Sequence, residues 1–258
     1  MQRAVLADAL ATLNSPALAA ALTALTRDSI RLRGQPAEEA QLPVGASKLG
    51  GRPDLAPGTP WPSRDGAPLA FVAQVRLEDA APYDPARLLP TAGLLSFFYD
   101  AQQETYGADP ADRGGWQVLY HTGEASQLQR LEAPAGLPAA ARYTARALSF
   151  TAEVTLPQDP QLERAEWHWA PGQQERYEDL LADLPSAAER AQPHHRMLGY
   201  ADTLQDDMRL QCQLVAHGVK IGTHDPRAGA LAAGAANWLL LLQVDSDAGA
   251  GMRWADAG

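Results

Sequence analysis

Apolar residues recur at helical spacing near the N-terminus. Val5, Leu6, Leu10 and Leu13 share one helical face, and Leu18, Leu22 and Leu25 share another. Asn14-Ser15-Pro16 between them supplies a break, an N-cap and a proline at the first helical position. Residues 1–28 therefore read as a helical hairpin, which the pattern casts as a lid on a sheet. From Ser29 the period shortens, and β-prone segments alternate with turn-rich ones. Strands are expected at 29–32, 69–77, 94–99, 116–121, 127–131 and 147–156. Residues 50–66 hold four prolines and four glycines and read as irregular. Helical spacing returns at 173–184 through Tyr177, Leu180, Leu181 and Leu184. In 206–218, Met208, Leu210, Cys212 and Leu214 alternate as in a strand, but Met208, Cys212 and Val215 also share a helical face. The closing Gly218 decides for helix. Residues 237–244, apolar except for Asn237 and Gln243, read as a buried strand.

The pattern occurs twice. Lys48-Leu49-Gly50-Gly51 precedes Pro68-Leu69-Ala70-Phe71-Val72-Ala73-Gln74-Val75, and Met197-Leu198-Gly199-Tyr200 precedes Trp238-Leu239-Leu240-Leu241-Leu242-Gln243-Val244. Each is a Leu-Gly turn followed by an apolar strand that ends in Gln-Val and acidic residues. This predicts one α+β domain over 1–258, with N-terminal helices and largely antiparallel sheets. An internal duplication would make 29–157 and 158–258 two pseudo-symmetric β-rich halves. Gly93 opens a strand nineteen residues after Gln74. Gly258 stands fifteen residues after Gln243, so the second half is expected to lack its final strand.

Charge narrows the partners. The chain has 31 acidic and 21 basic residues, a net charge of −10, and lysine only at Lys48 and Lys220. No basic stripe exists to follow a phosphate backbone, so nucleic acid is excluded as a partner. The single cysteine, Cys212, rules out an internal disulfide and a cysteine zinc cluster, and its apolar neighbours predict a buried inert thiol. The N-terminus lacks a secretory pattern, and the run 238–244 is too short to cross a bilayer. A cytoplasmic protein without membrane association is expected.

Few residues offer chemistry. Gln74 and Gln243 sit at matching places near the ends of apolar strands, either tying backbone together or facing a ligand between the halves. His194 and His195 lie near Asp202, Asp206 and Asp207, an acid–base or metal-binding inventory without standard ligand spacing. Adjacent histidines in a strand point to opposite faces, so at most one would serve. His168, between two tryptophans, belongs to a strand face or a loop. Asp245-Ser246-Asp247 resembles the opening of a calcium loop, but Ala250 replaces the required glycine and Asp256 the closing glutamate. No metal site and no cofactor follow. Ser47-Lys48-Leu49-Gly50-Gly51 suggests an anion-binding turn, although the P-loop, dinucleotide and nucleophile-elbow patterns are all missing.

Several blocks carry a family resemblance: Ser47-Lys48-Leu49-Gly50-Gly51-Arg52-Pro53, Trp61-Pro62, residues 68–75, Leu89-Pro90, residues 93–100, His195-Arg196-Met197-Leu198-Gly199-Tyr200, Gln205-Asp206-Asp207, residues 238–247 and residues 251–258. In this order they resemble the YwqG-like domain-of-unknown-function family over residues 30–258. The resemblance implies an α+β fold rich in antiparallel strands and brings no catalytic residues. It also implies a further strand beyond the position of Gly258. The function expected is a binding or regulatory module for a protein partner, a toxin-immunity-like role included. The alternative is an enzyme or small-ligand binder with a site between the halves, formed by Lys48, Gln74, His195, Asp206 and Gln243.

Overall fold

The computed structural model describes residues 2–203 and 208–254. At the N-terminus α1 (Arg3–Ala11) and α2 (Pro16–Thr23) form the expected hairpin. Asn14 turns the chain with a φ of 52°, and the Ser15 side chain accepts the Leu18 N–H ahead of Pro16. The strands and helices that follow are β1 (Arg27–Pro36), β2 (Lys48–Leu49), β3 (Asp54–Leu55), β4 (Ser63–Arg64), β5 (Ala67–Pro68), β6 (Ala70–Arg76) and α3 (Leu77–Ala80). After them come β7 (Leu94–Tyr99), β8 (Trp116–His121), β9 (Gln129–Arg130) and β10 (Arg146–Thr155). The last elements are α4 (Gln173–Asp183), α5 (Ala187–Arg190), β11 (His195–Leu198), α6 (Met208–Ala216) and α7 (Ala228–Leu231).

Seven strands form one curled antiparallel sheet in the order β11-β1-β10-β2-β6-β7-β8. The fold is thus α+β with antiparallel sheets, as the alternation of periods predicts. Its register sorts the side chains. Ile30 and Leu32 of β1 face Ala152 and Phe150 of β10, and Met197 and His195 of β11. Directly opposed residues share a face, so His195 lies on the apolar side. Ser29 and Arg31 face Glu153 and Thr151 on one flank, and Leu198 and Arg196 on the other, which makes the opposite side polar. The main core gathers Ile30, Leu32, Leu49, Val75, Phe97, Phe150 and Met197. A second core joins Leu6, Leu10, Leu18 and Leu22 to Val154, Leu156, Trp167 and Tyr177, so the N-terminal hairpin does close over the end of β10.

Four local readings need correction. Residues 238–244 are not a buried strand. They follow a 3₁₀ turn at Ala232–Asn237, Leu239 is 53% exposed, and only Gln243 makes a bridge, to Arg196. The expected strand at 127–131 shrinks to β9, because Ala125–Gln127 is a 3₁₀ turn. Residues 50–66 contain β3 and β4, two-residue strands that pair with β9 and β5. Cys212 is half-buried on α6, not enclosed, because that helix buries none of its side chains. Among the described residues, no helix is long and apolar enough to cross a membrane.

Candidate functional site

The chain reverses sharply after β2. Gly50 and Gly51 both have positive φ, +56° and +71°, and a Cβ at Gly50 would lie 2.5 Å from the Thr144 carbonyl oxygen. The turn carries Asp54 back beneath Lys48. The Asp54 carboxylate is fully buried, and its Oδ2 accepts from Lys48 Nζ at 3.2 Å, Gln74 Nε2 at 2.7 Å and the Gly45 N–H at 2.9 Å. Arg130 Nε donates to Oδ1 at 2.8 Å. The Gln74 amide ties the same loop to the sheet, with Oε1 accepting the Asp54 N–H and Nε2 also donating to the Ala46 carbonyl. Burial opposes the Asp54 charge, but Arg130, Lys48, the Gly45 N–H and Gln74 together hold its pKa below the usual carboxylate value. Burial lowers the Lys48 pKa against the pull of Asp54.

A second network lies on β11. Leu198 and Gly199 have φ values of +60° and +71°, and the turn they make brings Asp202 to Arg196. The guanidinium meets Asp202 at 2.8 and 3.0 Å, donates to the Tyr200 carbonyl and stands 3.3 Å from Glu153. The Gln243 amide clasps the Asp202 backbone, accepting its N–H and donating to its carbonyl, both at 2.9 Å. His195 Nδ1 accepts the Asp245 N–H, which leaves Nε2–H to donate to Asp247, 3.3 Å away. Arg146 reaches within 3.5 Å of the same Asp247 oxygen. Burial keeps the His195 pKa below its ordinary value despite Asp247 and Asp245.

The two networks correspond residue by residue. A cation and an aspartate six positions apart, Lys48 with Asp54 and Arg196 with Asp202, flank two residues of positive φ. A glutamine on the neighbouring segment accepts the aspartate N–H in each, Gln74 at 2.9 Å and Gln243 at 2.9 Å. The residue before the cation accepts the N–H two places beyond that glutamine: Ser47 from Arg76, and His195 from Asp245. This equates Leu49 with Met197 and Gly50-Gly51 with Leu198-Gly199, one position away from the Leu-Gly match visible in the sequence.

Of the sequence candidates, Lys48 and Gln74 are brought together, and His195 and Gln243 flank Arg196. The two groups do not form one site, since β10 and β1 stand between β2 and β11. Asp206 lies outside the described residues, with Gln205 and Asp207. The paired histidines diverge: His194 Nε2 lies 2.7 Å from Arg196 Nη2, while His195 turns to Asp247. His168 is exposed on an irregular segment. The carboxylates of the calcium-like segment serve backbone, Asp245 accepting from His194 and Ser246, and Asp247 from Gly249 and Ala250. Among the described residues no three potential ligands gather as a metal ion needs. Asp54 and Arg130 were missed by sequence reasoning, although the six-residue cation–aspartate spacing was there to be read twice.

The open concavities lie elsewhere. A groove of about 590 Å³ runs between α1 and α4, with Val5, Ala9, Leu13, Leu180 and Leu184 among its lining residues. Its other lining residues include Asp8, Asp179, Asp183 and Arg176. A smaller cleft of about 210 Å³ is bordered by Glu39, Arg52, Trp61, Glu132, Arg142 and Tyr143. No curated protein matches the chain. Residues 47–258, which include both cation–aspartate–glutamine networks, match the model of a domain of unknown function (DUF1963), and the chain belongs to that family.

Proposed function

We propose that this protein is a binding module for a protein partner, built on a duplicated scaffold and acting without catalysis. One contrast carries the reading. Lys48, Gln74 and His195 are closed to solvent with their polar atoms engaged inside the fold. Large apolar side chains stand open elsewhere. Besides the α1–α4 groove, the edge strand β8 exposes Trp116, Val118 and Tyr120 on one face and carries no Asp, Glu, Lys or Arg. Open apolar surface of this kind marks interaction sites. The matched networks support the duplication, and each clamps a turn to the sheet, a structural task.

All the blocks of the YwqG-like resemblance fall within the matched residues 47–258, and that resemblance brings no catalytic residues that would oppose the reading. A cytoplasmic setting suits a chain whose single cysteine rules out an internal disulfide framework. A regulatory or immunity-like role is the finer form of the proposal. The small-ligand alternative draws on the 210 Å³ cleft, yet its cations are engaged: Arg52 pairs with Glu39 and Glu132, and Arg142 donates to the Leu137 carbonyl.

A thermal-shift panel of divalent metals, nucleotides, amino acids, sugars and short acyl compounds separates the two. Native-state ligands raise the melting temperature by mass action. The module reading expects no shift from any of them. A reproducible rise that disappears in His195→Asn or Arg52→Gln would overturn it in favour of a ligand site.

A further inference from the structure

Resting on the module reading, we propose that the α1–α4 groove is the docking surface and that its occupant is a basic amphipathic helix of the partner protein. The groove takes its walls from one face of each helix. On α1 and its C-cap, Val5, Asp8, Ala9 and Thr12 follow the i, i+3, i+4, i+7 rule, and on α4 Arg176, Asp179, Leu180 and Asp183 do the same. Apolar side chains thus line it while carboxylates stand at its margin. Val5 remains 53% exposed on a helix whose other large apolar residues, Leu6 and Leu10, are buried. At eleven residues α4 is about 16 Å long, which matches three turns of a docked helix with two or three apolar anchors.

Charge selects the occupant. Among the described residues, the carboxylates of Asp8, Asp179 and Asp183 enter no ion pair or hydrogen bond. The one cation of the rim, Arg176, donates to the carbonyls of Gly172 and Leu13 and neutralises none of them. Asp183 also ends α4, and that helix has no basic residue in its last turn. Arg190 caps this end of the helix by donating to the Ala182 carbonyl, but among the described residues it makes no ion pair with Asp183, so that carboxylate is left for a partner's lysine or arginine. An acidic helix or an anionic membrane would be repelled by the same rim, and a second copy of this chain would approach it against a net charge of −10 on each.

The test is fluorescence anisotropy with the full chain and a labelled twelve-residue amidated peptide, leucine at three anchor positions spaced i, i+4, i+7 and lysine at most of the others. Saturable binding is expected, weakening as salt rises. Asp179→Lys combined with Asp183→Lys, both at exposed positions, should reduce affinity at least tenfold and confer binding of the analogous glutamate peptide. Equal binding of a scrambled peptide, equal binding by the charge-reversed chain, or no binding at all would overturn the proposal. Self-association that sedimentation finds in the wild type but not in the double variant would overturn it too, giving the groove to a second copy. These failures touch the groove alone, whereas a His195- or Arg52-dependent small-ligand shift would remove the module reading itself.

Discussion

Asp54 stands where two cations, a glutamine and a backbone N–H converge on a fully buried carboxylate. Removing one member of a buried ion pair costs about 3–5 kcal/mol, because the other charge stays buried and unpaired. Asp54→Asn is therefore expected to lower the urea-unfolding free energy by roughly that amount. Lys48→Met should cost much less in the Asp54→Asn background than alone, and additive effects in that double-mutant cycle would sink the idea of a coupled clasp. His195 supplies a separate pH window. Its pKa in the fold is lowered by burial, so the folded state prefers the neutral ring. The associated stability is complete above the unfolded value of about 6.5 and is lost as pH falls towards the folded one. Asp54 acts in the same direction only further down, below its unfolded value near 3.8. The melting temperature should thus fall from pH 7.5 to 5.5, and fall less in His195→Asn, whose Oδ1 can still accept the Asp245 N–H. An identical fall in both proteins would assign the effect to other groups. Lys48, Gln74 and His195 stood out in the sequence as polar residues in apolar or glycine-rich surroundings. Asp54 did not, because it lies in a proline- and glycine-rich loop whose path back under β2 is set by the fold.

At the scale of elements, the turns are more tightly specified than the helices. Gly199 combines a φ of +71° with crowding: a Cβ there would lie 2.6 Å from Thr155 Oγ1 and 2.7 Å from Ser29 Cβ. Gly218 has the same kind of φ, +80°, but nothing within 4 Å of that position. Left-handed backbone alone costs a non-glycine residue about 1–2 kcal/mol. Gly218→Ala should lose about that much, while Gly199→Ala adds a steric clash and should lose about 3 kcal/mol or more. Chemical denaturation of the two variants compares them directly, and equal losses would mean that the β11 turn relaxes freely. The sequence disclosed β7 and β8 to the residue, because the strand patterns there end at glycine or at polar turns. It misled at 238–244, where a continuous apolar run suggested burial. That segment instead crosses the outer side of β11, touching it through the Arg196–Gln243 bridge and the Leu198–Leu240 hydrogen bond, with Leu239 turned to solvent. A run of one period carries no information about which neighbours will cover it.

For the molecule as a whole, the decisive strand is one that precedes the family match. The matched region begins at residue 47, yet β1 lies between β10 and β11 and pairs with both. The sequence placed a strand there at 29–32 but could not say what it would join, since its partners are more than a hundred residues away along the chain. Ile30 and Leu32 are fully buried in the main core. On the other face the Ser29 hydroxyl donates to the Met197 carbonyl with Glu153 also within reach, and Arg31 donates to the Pro193 carbonyl. Without β1, therefore, β11 loses its neighbour in the sheet, and both apolar and polar partners are exposed at once. Each buried large apolar side chain is worth about 2–5 kcal/mol when truncated, so losing two of them already approaches the 5–15 kcal/mol that holds a typical domain together. A fragment of residues 47–258 is accordingly expected not to fold cooperatively, judged by the loss of a sigmoidal thermal transition in circular dichroism. A synthetic peptide of residues 27–46 added to it should restore the transition in a concentration-dependent way, because the strand then binds as a separate chain. A fragment that melts as sharply and as high as the full chain would show that β1 only covers a sheet able to stand without it.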